Sequence, residues 1–285
     1  DGTQDIYWHD PDTLFISMHQ DGRTLYPGTG FSNELGGPNA LGTTVNIPLP
    51  PHTSEEGFLY VTRNVVKPIL EDFKPQLVVN SAGQDNHFSD PITNMNFSAQ
   101  GYAQLTSILQ PDIAVLEGGY AIEGALPYVN VGIILAMAGL DYARVREPNY
   151  DPVKIRQTRE TSRRIEQIGE LTLQNWSQRE QRSARSRERR GLDRRTRNIF
   201  YDTDNLLESQ KEIISICPDC AGALQIDSTA DRGRHVLCVH IPRKACQACR
   251  EIGYQWFETA PREAYDAVIL QDRTTDAYHQ RQHGA

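Results

Sequence analysis

The sequence contains no run of about 18 apolar residues, which excludes an ordinary membrane-spanning helix. Its first residues, Asp1-Gly2-Thr3-Gln4-Asp5, are polar and show no secretory signal, so an intracellular, cytoplasmic location is expected. The first residue is not Met, which indicates a processed product or a piece of a longer protein. What is present, 285 residues of which 38% are hydrophobic, suits a globular body with a hydrophilic segment.

The net charge of −8 conceals an uneven distribution of charge along the chain. Residues 151–200 contain 14 Lys and Arg against 7 Asp and Glu, whereas the remainder contains 15 basic and 30 acidic residues. A split of this size is typical of a change in structural role. Because apolar residues are sparse here and almost absent from 178–197, we expect a basic helical linker over residues 146–210.

Short apolar runs alternate with amphipathic stretches through residues 1–145. Four runs have the length and composition of buried strands: 13–19, 44–49, 77–81 and 113–116. Helical periodicity is found at about 55–72 with Pro68 near its end, again from Ser98, and at about 122–140. This alternation predicts an α/β fold with a parallel sheet that is covered on both faces.

Reactive side chains follow two of the predicted strands. The third strand leads into a loop with Asp85, His87 and Asp90, and the fourth leads through two glycines to Tyr120. Because sites in open parallel sheets form at the carboxyl ends of strands, we expect these side chains to share one edge. The pattern alone also allows purely structural roles: Asp90 would end a turn before proline, Tyr120 would pack against other residues, and His87 would face solvent.

Six short motifs occur in one order over residues 1–140. They are Gly2-Thr3-Gln4, Ser17-Met18-His19, Tyr26-Pro27-Gly28-Thr29-Gly30, Asn46-Ile47-Pro48-Leu49-Pro50, Ser81-Ala82-Gly83 with Asp85 and Asp90-Pro91, and Leu116-Glu117-Gly118-Gly119-Tyr120. Together they resemble the histone deacetylase family, with its acetoin-utilisation and polyamine-deacetylase relatives. The resemblance implies the C-terminal part of a deacetylase catalytic domain over residues 1–145, with a partial arginase/deacetylase-like parallel sheet.

The resemblance also implies a chemistry, the zinc-dependent hydrolysis of an acylated amine such as acetyl-lysine or an acetylpolyamine. Asp90 matches one of the family's two Asp ligands to catalytic zinc. Tyr120 matches the catalytic tyrosine that donates a hydrogen bond to the substrate carbonyl and the oxyanion. Tyr26 matches an aromatic wall of the substrate channel, and Gly118 and Gly119 match the turn beneath it.

Other positions match supporting roles in the family. Asp85 and His87 match groups that orient the loop behind the metal ligands. Ser17 and Met18 match positions that help to bind a monovalent cation, K⁺ by resemblance. Two residues of the same loop depart from the commoner family pattern: Gln84 and Phe88.

The remaining ligands of the family lie in a motif of the form Asp-x-His-His-Gly-Asn/Asp-Gly-Thr-Gln, of which Asp1-Gly2-Thr3-Gln4 matches only the end. The chain therefore holds one zinc ligand of three and lacks the His-His pair that acts as general base and acid. We expect the chain to be an N-terminally truncated, inactive deacetylase. The rival interpretation is a chain that pairs with a separate N-terminal polypeptide. The alternative function is a non-catalytic binding module that uses its basic helix and cysteine-bearing unit.

Two CxxC pairs lie within residues 211–262, Cys217 and Cys220, then Cys246 and Cys249. Four thiolates at this spacing suit a structural zinc, so the sequence predicts a zinc-ribbon-like unit followed by a tail, 263–285. The alternatives are buried or disulfide-bonded cysteines, although disulfides are uncommon without a secretory signal. Residues 235–241 alternate as a strand that carries the fifth cysteine, Cys238, and two histidines that are alternative ligands: His235 and His240.

Three roles are considered for the arginine-rich part of the basic segment. Its arginines are Arg179, Arg182, Arg185, Arg187, Arg189, Arg190, Arg194, Arg195 and Arg197. They suit a solvated helical linker, a surface for an oligomer or protein partner, or a nucleic-acid contact through phosphates. Because no aromatic residues are interleaved with these arginines, base stacking, and with it nucleic acid, is not favoured.

The isolated chain is predicted to show no deacetylase activity, because one carboxylate cannot hold a catalytic zinc that takes three protein ligands. The measurement is hydrolysis of an acetyl-lysine peptide and of an acetylpolyamine with added Zn²⁺. Zinc-dependent turnover above the rate of a heat-denatured sample would contradict this expectation.

Overall fold

The computed structural model of the protein describes residues 2–282, so Asp1 of the first motif lies outside the described range. The chain divides into two compact units. Unit 1 comprises the chain up to Ile6, Leu14–Leu35 and Gly42–Arg179. Unit 2 comprises Tyr7–Thr13, Gly36–Leu41 and the chain from Glu180 onward.

Helices and short strands alternate as far as residue 177. In chain order they are α1 (Gly2–Tyr7), β1 (Phe15–Gln20), β2 (Thr44–Leu49), α2 (Glu55–Val61), α3 (Lys67–Phe73), β3 (Val79–Ala82), α4 (Ala99–Leu109), β4 (Ile113–Leu116), α5 (Leu126–Met137) and α6 (Arg159–Ser177). β1 pairs in parallel with β2, and β3 pairs in parallel with β4. The predicted α/β class and parallel pairing are confirmed.

The expectation of one sheet covered on both faces is wrong in detail. The strands of unit 1 form two separate two-stranded sheets within the described residues. β2 is buried along its whole length, whereas apolar side chains of β3 and β4 face solvent, and Leu116 is 71% exposed. The alternating composition fixed the strand type but carried no signal for which strands share a sheet.

The predicted helix over residues 55–72 is present but interrupted. α2 and α3 are joined by a turn of π-helix, Thr62–Val66, and Pro68 lies in the first turn of α3. Proline has no N–H to donate to the preceding turn, and it stands where the pairing changes from π-helical to α-helical. Ser98 caps α4 as expected, since its hydroxyl oxygen accepts from the Gly101 N–H at 3.0 Å.

The core of unit 1 includes a helix from the segment that was expected to be a solvated linker. Ile165, Ile168 and Trp176 of α6 are buried in the same cluster as residues of β2 and α2. The Trp176 indole N–H donates to Asp72 Oδ2 at 2.9 Å, which attaches the end of α6 to α3. The thin apolar stripe of this segment is therefore a core-facing helix surface, and residues 159–177 are part of unit 1 rather than a linker.

Unit 2 contains a six-stranded sheet. Its elements are α7 (Arg179–Glu188, of which Arg179 belongs to unit 1), β5 (Gly191–Tyr201), β6 (Leu206–Ile216), β7 (Leu224–Ala230), β8 (His235–Ile241), α8 (Gln247–Thr259), β9 (Ala267–Asp272) and β10 (Ala277–Gln282). The strand order is β10-β9-β8-β7-β6-β5, and β8 and β9 are parallel while the other pairs are antiparallel. α8 connects β8 to β9 and packs against β7, β8 and β9.

Two expectations for this half of the chain are corrected. The basic segment is helical only as far as Glu188, and from Gly191 it is a strand, because β6 pairs with it along its whole length. The tail after residue 262, which has no clear sequence pattern, provides β9 and β10. The small cysteine-bearing unit is therefore built into a larger sheet. Among residues 2–282, no helix has the length and apolar character required to cross a membrane.

Candidate functional site

The loops that follow β3 and β4 lie against each other at one edge of their sheet. Because the two strands are parallel, their carboxyl ends meet at that edge. Two hydrogen bonds join the loops: the Gln84 N–H donates to the Gly118 carbonyl at 2.5 Å, and the Tyr120 N–H donates to Asp90 Oδ2 at 2.8 Å. The structure thus brings together Asp90 and Tyr120 as the sequence predicted.

The Asp90 carboxylate is buried and uses both oxygens. Its Oδ1 accepts from the Ile92 N–H at 2.9 Å, which closes a turn, and its Oδ2 accepts from the Tyr120 N–H in the neighbouring loop. Asp90 therefore has the structural role of ending a turn, and it also fixes the tyrosine-bearing loop.

Asp85 and the Tyr120 hydroxyl lie on either side of Gly118. A Cβ atom added to Gly118 would lie 3.3 Å from Asp85 Oδ2 and 3.5 Å from Tyr120 Oη. Burial, reinforced by the negative charge of Asp90, raises the pKa of Asp85 above its ordinary value. Two carboxylates and a phenol that is 54% exposed thus converge at this edge, a donor set suited to holding a cation and to donating a hydrogen bond.

His87 is fully buried, so the alternative that it faces solvent is wrong. Its Nδ1 is 2.9 Å from Ser89 Oγ and its Nε2 is 3.2 Å from Glu147 Oε1. The same Glu147 oxygen accepts from the Ala99 N–H at the start of α4. Burial works to raise the pKa of Glu147, but the hydrogen bonds from His87 and from the Ala99 N–H outweigh it and lower that pKa. His87 therefore ties the Asp90 loop to the rest of unit 1.

The sequence analysis missed Glu147, and no local signal identifies it. It lies 60 residues from His87 and follows a segment without a motif. The two departures from the family pattern also acquire partners: Gln84 Nε2 donates to Asn130 Oδ1, and the Phe88 ring lies 4.4 Å from the His87 ring. Both side chains therefore make packing contacts of their own in this loop.

The remaining predicted positions are Tyr26, Ser17, Met18 and Gly119, of which Gly119 lies within the joined loops. Tyr26 is exposed, and no contact in the described part of the chain joins it to Asp90. Ser17 Oγ is 2.8 Å from His19 Nδ1, and the Met18 sulfur lies 3.9 Å from Thr62 Oγ1. Gly119 has a φ of +159°, with the Gln84 and Leu126 side chains closely packed around it. The channel and cation roles of these residues stay predictions.

The carboxylates at the strand ends do not make a complete catalytic metal site by themselves. Within residues 2–282, the only three or more metal-ligating side chains whose donor atoms converge are the four cysteines of unit 2. Catalytic zinc takes three protein ligands, and the sequence predicts only Asp90 as one of them.

Comparison with known proteins agrees with the geometry. Residues 1–130 match the histone deacetylase domain. A probable deacetylase of Archaeoglobus fulgidus is 51% identical over 162 residues, which are 53% of this chain and 45% of the relative. The acetoin utilization protein AcuC of Staphylococcus xylosus is 32% identical over 148 residues, 49% of this chain and 38% of the relative.

The solved structure of the histone deacetylase Clr3 matches with a TM-score of 0.53 and 26% identity, covering 61% of this chain and 30% of that one. Residues 1–130 are therefore similar to a histone deacetylase domain. We call them the deacetylase segment. The chain spans less than half the length of the curated relatives that it matches.

The second candidate site lies in unit 2. Cys217, Cys220, Cys246 and Cys249 are free thiols whose sulfur atoms all lie within 4.8 Å of one another. The Cys217 and Cys246 sulfurs are 3.8 Å apart, and a tetrahedral Zn–S₄ centre with 2.3 Å bonds requires sulfurs about 3.8 Å apart. The predicted four-cysteine cluster is confirmed, and its geometry fits a tetrahedral ion.

The four thiols differ in the backbone hydrogen bonds that they accept and in the effect of burial on their pKa values. The N–H groups of Asp219 and Gly222 point at the Cys217 and Cys220 sulfurs, at 3.4 and 3.3 Å. Burial raises the pKa of Cys220 and of Cys249. Thiols kept protonated by burial become thiolates when a cation replaces the protons, so metal and protons compete at this cluster.

The two histidines considered as alternative ligands have other partners. His235 Nε2 lies 2.7 Å from Asp227 Oδ1, and His240 Nδ1 lies 3.0 Å from Gln271 Oε1. Cys238 is in the middle of β8, outside the cluster. The paired CxxC motifs therefore account for the whole ligand set.

A residue of the deacetylase segment holds the first cysteine pair, and sequence analysis missed it. The buried Asn39 side chain donates to the Ser215 carbonyl at 2.8 Å and to the Ala221 carbonyl at 2.7 Å, and accepts from the Cys217 N–H at 3.0 Å. All four residues belong to unit 2. Groups that orient metal ligands in this way preserve metal affinity.

Replacement of Glu147 by Gln is predicted to lower the free energy of unfolding by about 1–3 kcal/mol at neutral pH, because a charge-assisted buried hydrogen bond is lost. The folded-state pKa of Glu147 is lowered, so its contribution is present above about pH 4.5 and lost as the pH falls through the lowered value. Denaturant unfolding of both proteins between pH 3 and 7 tests this. The difference should shrink on the acid side, whereas the exposed control Glu123→Gln should stay within about 0.5 kcal/mol throughout.

Removal of one cluster cysteine is predicted to remove the metal. The chain as purified should bind one Zn²⁺, and Cys220→Ser should lose it and unfold at lower temperature. Metal content by elemental analysis and thermal unfolding are the measurements. Cys238→Ala, which removes a thiol outside the cluster, is the matched control and should retain one equivalent. Equal metal content in both variants would show that the four thiols do not form the site.

Proposed function

We propose that the deacetylase segment carries part of the active site of a zinc-dependent amidohydrolase that removes acyl groups from amines. The observation that carries this proposal is the hydrogen bond from the Tyr120 N–H to the buried Asp90 carboxylate. It joins the carboxylate that we propose as a metal ligand to the tyrosine-bearing loop, where two parallel strands end. The match of residues 1–130 to the histone deacetylase domain supports the same chemistry.

Tyr120 is proposed as the hydrogen-bond donor to the carbonyl oxygen of the acyl group. Tyr120 is more than half exposed, and its hydroxyl lies beside Gly118, against which the Asp85 carboxylate also lies. A donor aimed at an oxygen that gains negative charge stabilises the transition state. Asp90 fixes the backbone of this residue, so the donor is positioned before substrate arrives.

Asp90 is proposed as one of three zinc ligands, with Asp85 behind it. Bound zinc supplies a nucleophilic water and polarises the carbonyl. Burial, together with the nearby charge of Asp90, raises the pKa of Asp85 above its ordinary value.

Two supporting ions complete the proposal. A structural Zn²⁺ is assigned to the four cysteines, because free thiols that converge within 4.8 Å match its ligand preference. A monovalent cation, K⁺, is assigned to the backbone near Ser17 and Met18 by resemblance alone. The proposed substrates are acetyl-lysine side chains and acetylpolyamines, which share the acylated primary amine.

The test transplants the deacetylase segment into a relative. Residues 1–130 replace the matching segment of the Archaeoglobus fulgidus relative, and hydrolysis of an acetyl-lysine peptide and of an acetylpolyamine is measured. The chimera should hydrolyse at least one substrate when the parent does. Tyr120→Phe should lower kcat by about 10²- to 10³-fold, because one oxyanion donor is lost, with a smaller change in KM.

Tyr60→Phe on α2 removes a hydroxyl of the same type away from the strand ends and should leave kcat unchanged. Asp90→Asn should abolish turnover and lower the affinity for zinc. A chimera that folds and binds zinc yet retains full activity as the Tyr120→Phe variant would overturn the assigned role of that hydroxyl.

A further inference from the structure

The edge of the unit 2 sheet presents a surface that the deacetylase chemistry does not use. β5 is the last strand of the sheet, and every second residue from Leu192 to Phe200 is exposed while the residues between are half-buried. Antiparallel pairing with β6 places Lys211 opposite Thr196 and Leu207 opposite Phe200 on the same face. We call this the outer face, defined by Arg194, Asn198, Phe200, Leu207 and Lys211.

The strand register separates the charges of this hairpin between its two faces. On the opposite face, Arg195 and Arg197 lie 3.7 and 3.4 Å from the carboxylate oxygens of Glu212, and Arg195 also stacks on Trp8. The acidic residues of β5 and β6, Asp193, Glu208 and Glu212, all share that face. The outer face thus carries two cations, Arg194 and Lys211, and no carboxylate from either strand. Asp227 of β7, which is paired opposite Lys211, adds a carboxylate to the same face of the sheet, where its oxygens bond to His235 and Tyr265.

Two apolar side chains lie on the outer face beside the cations. Phe200 is 49% exposed and Leu207 is 47% exposed, since α8 packs against β7, β8 and β9 instead. An exposed phenylalanine on a sheet offers a flat surface on which a base can stack. The sequence analysis found no aromatic residue interleaved with the arginines, because Phe200 follows them in the chain and joins them only through the pleat of the strand.

Further cations precede this strand directly. Arg189 and Arg190 are exposed at the end of α7, and neither they nor Arg194 and Lys211 have an ion-pair partner among the residues that the structure describes. Arg190 is two residues before Leu192, so it lies within about 7 Å of the start of the outer face. Unpaired arginines at this spacing suit successive phosphates of an extended chain.

We propose that the outer face of β5 and β6 binds single-stranded nucleic acid. From Leu192 to Phe200 the strand extends about 26 Å. OB folds, which also bind single strands on a sheet, take roughly four nucleotides or more. The cations contact phosphates, and Phe200 stacks on one base. Protein interfaces are depleted in Lys at their centres, and Lys211 lies in the middle of this face, which favours a polyanion over a protein partner. The proposal concerns unit 2 and does not depend on the proposed amidohydrolase activity.

Fluorescence anisotropy of the full 285-residue chain with labelled 12-nucleotide oligouridylate and oligothymidylate tests the proposal. We expect binding at 50 mM salt that weakens as salt is raised, for one or both oligonucleotides, and weaker binding of a 12-base-pair duplex. Arg194→Gln should reduce the slope of log affinity against log salt by about 0.7, because one phosphate contact is lost. Phe200→Ala should weaken binding about tenfold with the slope unchanged.

The controls change another arginine and another exposed aromatic residue elsewhere in unit 2. Arg234→Gln, in the turn before β8, and Tyr278→Ala, on the opposite edge strand, should leave affinity within twofold. Thermal unfolding confirms that each variant folds. The proposal is overturned by no binding at 50 mM salt, by equal effects of Arg194→Gln and Arg234→Gln, or by competition from polyglutamate as strong as from oligonucleotide. It is also overturned if Phe200→Ala instead abolishes a concentration-dependent dimer, which would assign the face to a second copy of the chain.

Discussion

One buried carboxylate determines where the reactive groups of unit 1 lie. Asp90 accepts from the N–H of Ile92 in its own loop and from the N–H of Tyr120 in the next loop. A buried carboxylate must be paired to be tolerated, so the two loops cannot separate without exposing or stranding this charge. The parallel pairing of β3 and β4 brings the loops to one edge, and Asp90 then fixes their distance.

A second buried network supports the first from behind. His87 bonds to Ser89 and to Glu147, and Glu147 also accepts from the first turn of α4. A carboxylate shared between an imidazole and a helix N-terminus is stabilised by both. The loop that carries Asp90 is therefore attached to α4 and to the segment after α5, so the position of Asp90 depends on packing well beyond its motif.

The sequence predicts those features that depend on local pattern. Apolar runs place the strands of unit 1, and the CxxC spacing predicts the four-cysteine cluster, because both signals are carried by neighbouring residues. Glu147 and Asn39 could not be predicted, since each bonds to residues at least 48 positions away in the sequence. β5 was expected to be helical because its arginines hide a two-residue period. Two of the three arginines of β5, Arg195 and Arg197, form ion pairs with Glu212, which only the pairing with β6 supplies.

The same pairing has a consequence for both faces of the unit 2 sheet. A strand has a side-chain period of two, so a shift of one residue in the β5–β6 register would move Arg195 and Arg197 away from Glu212 and bring Arg194 against it. The ion pairs with Glu212 and the stacking of Arg195 on Trp8 oppose that shift. The contacts of Arg195 and Arg197 with Glu212 and Trp8 therefore also keep Arg194 on the outer face, away from Glu212. The β5–β6 register thus sets both the strand pairing and the distribution of charge between the two faces.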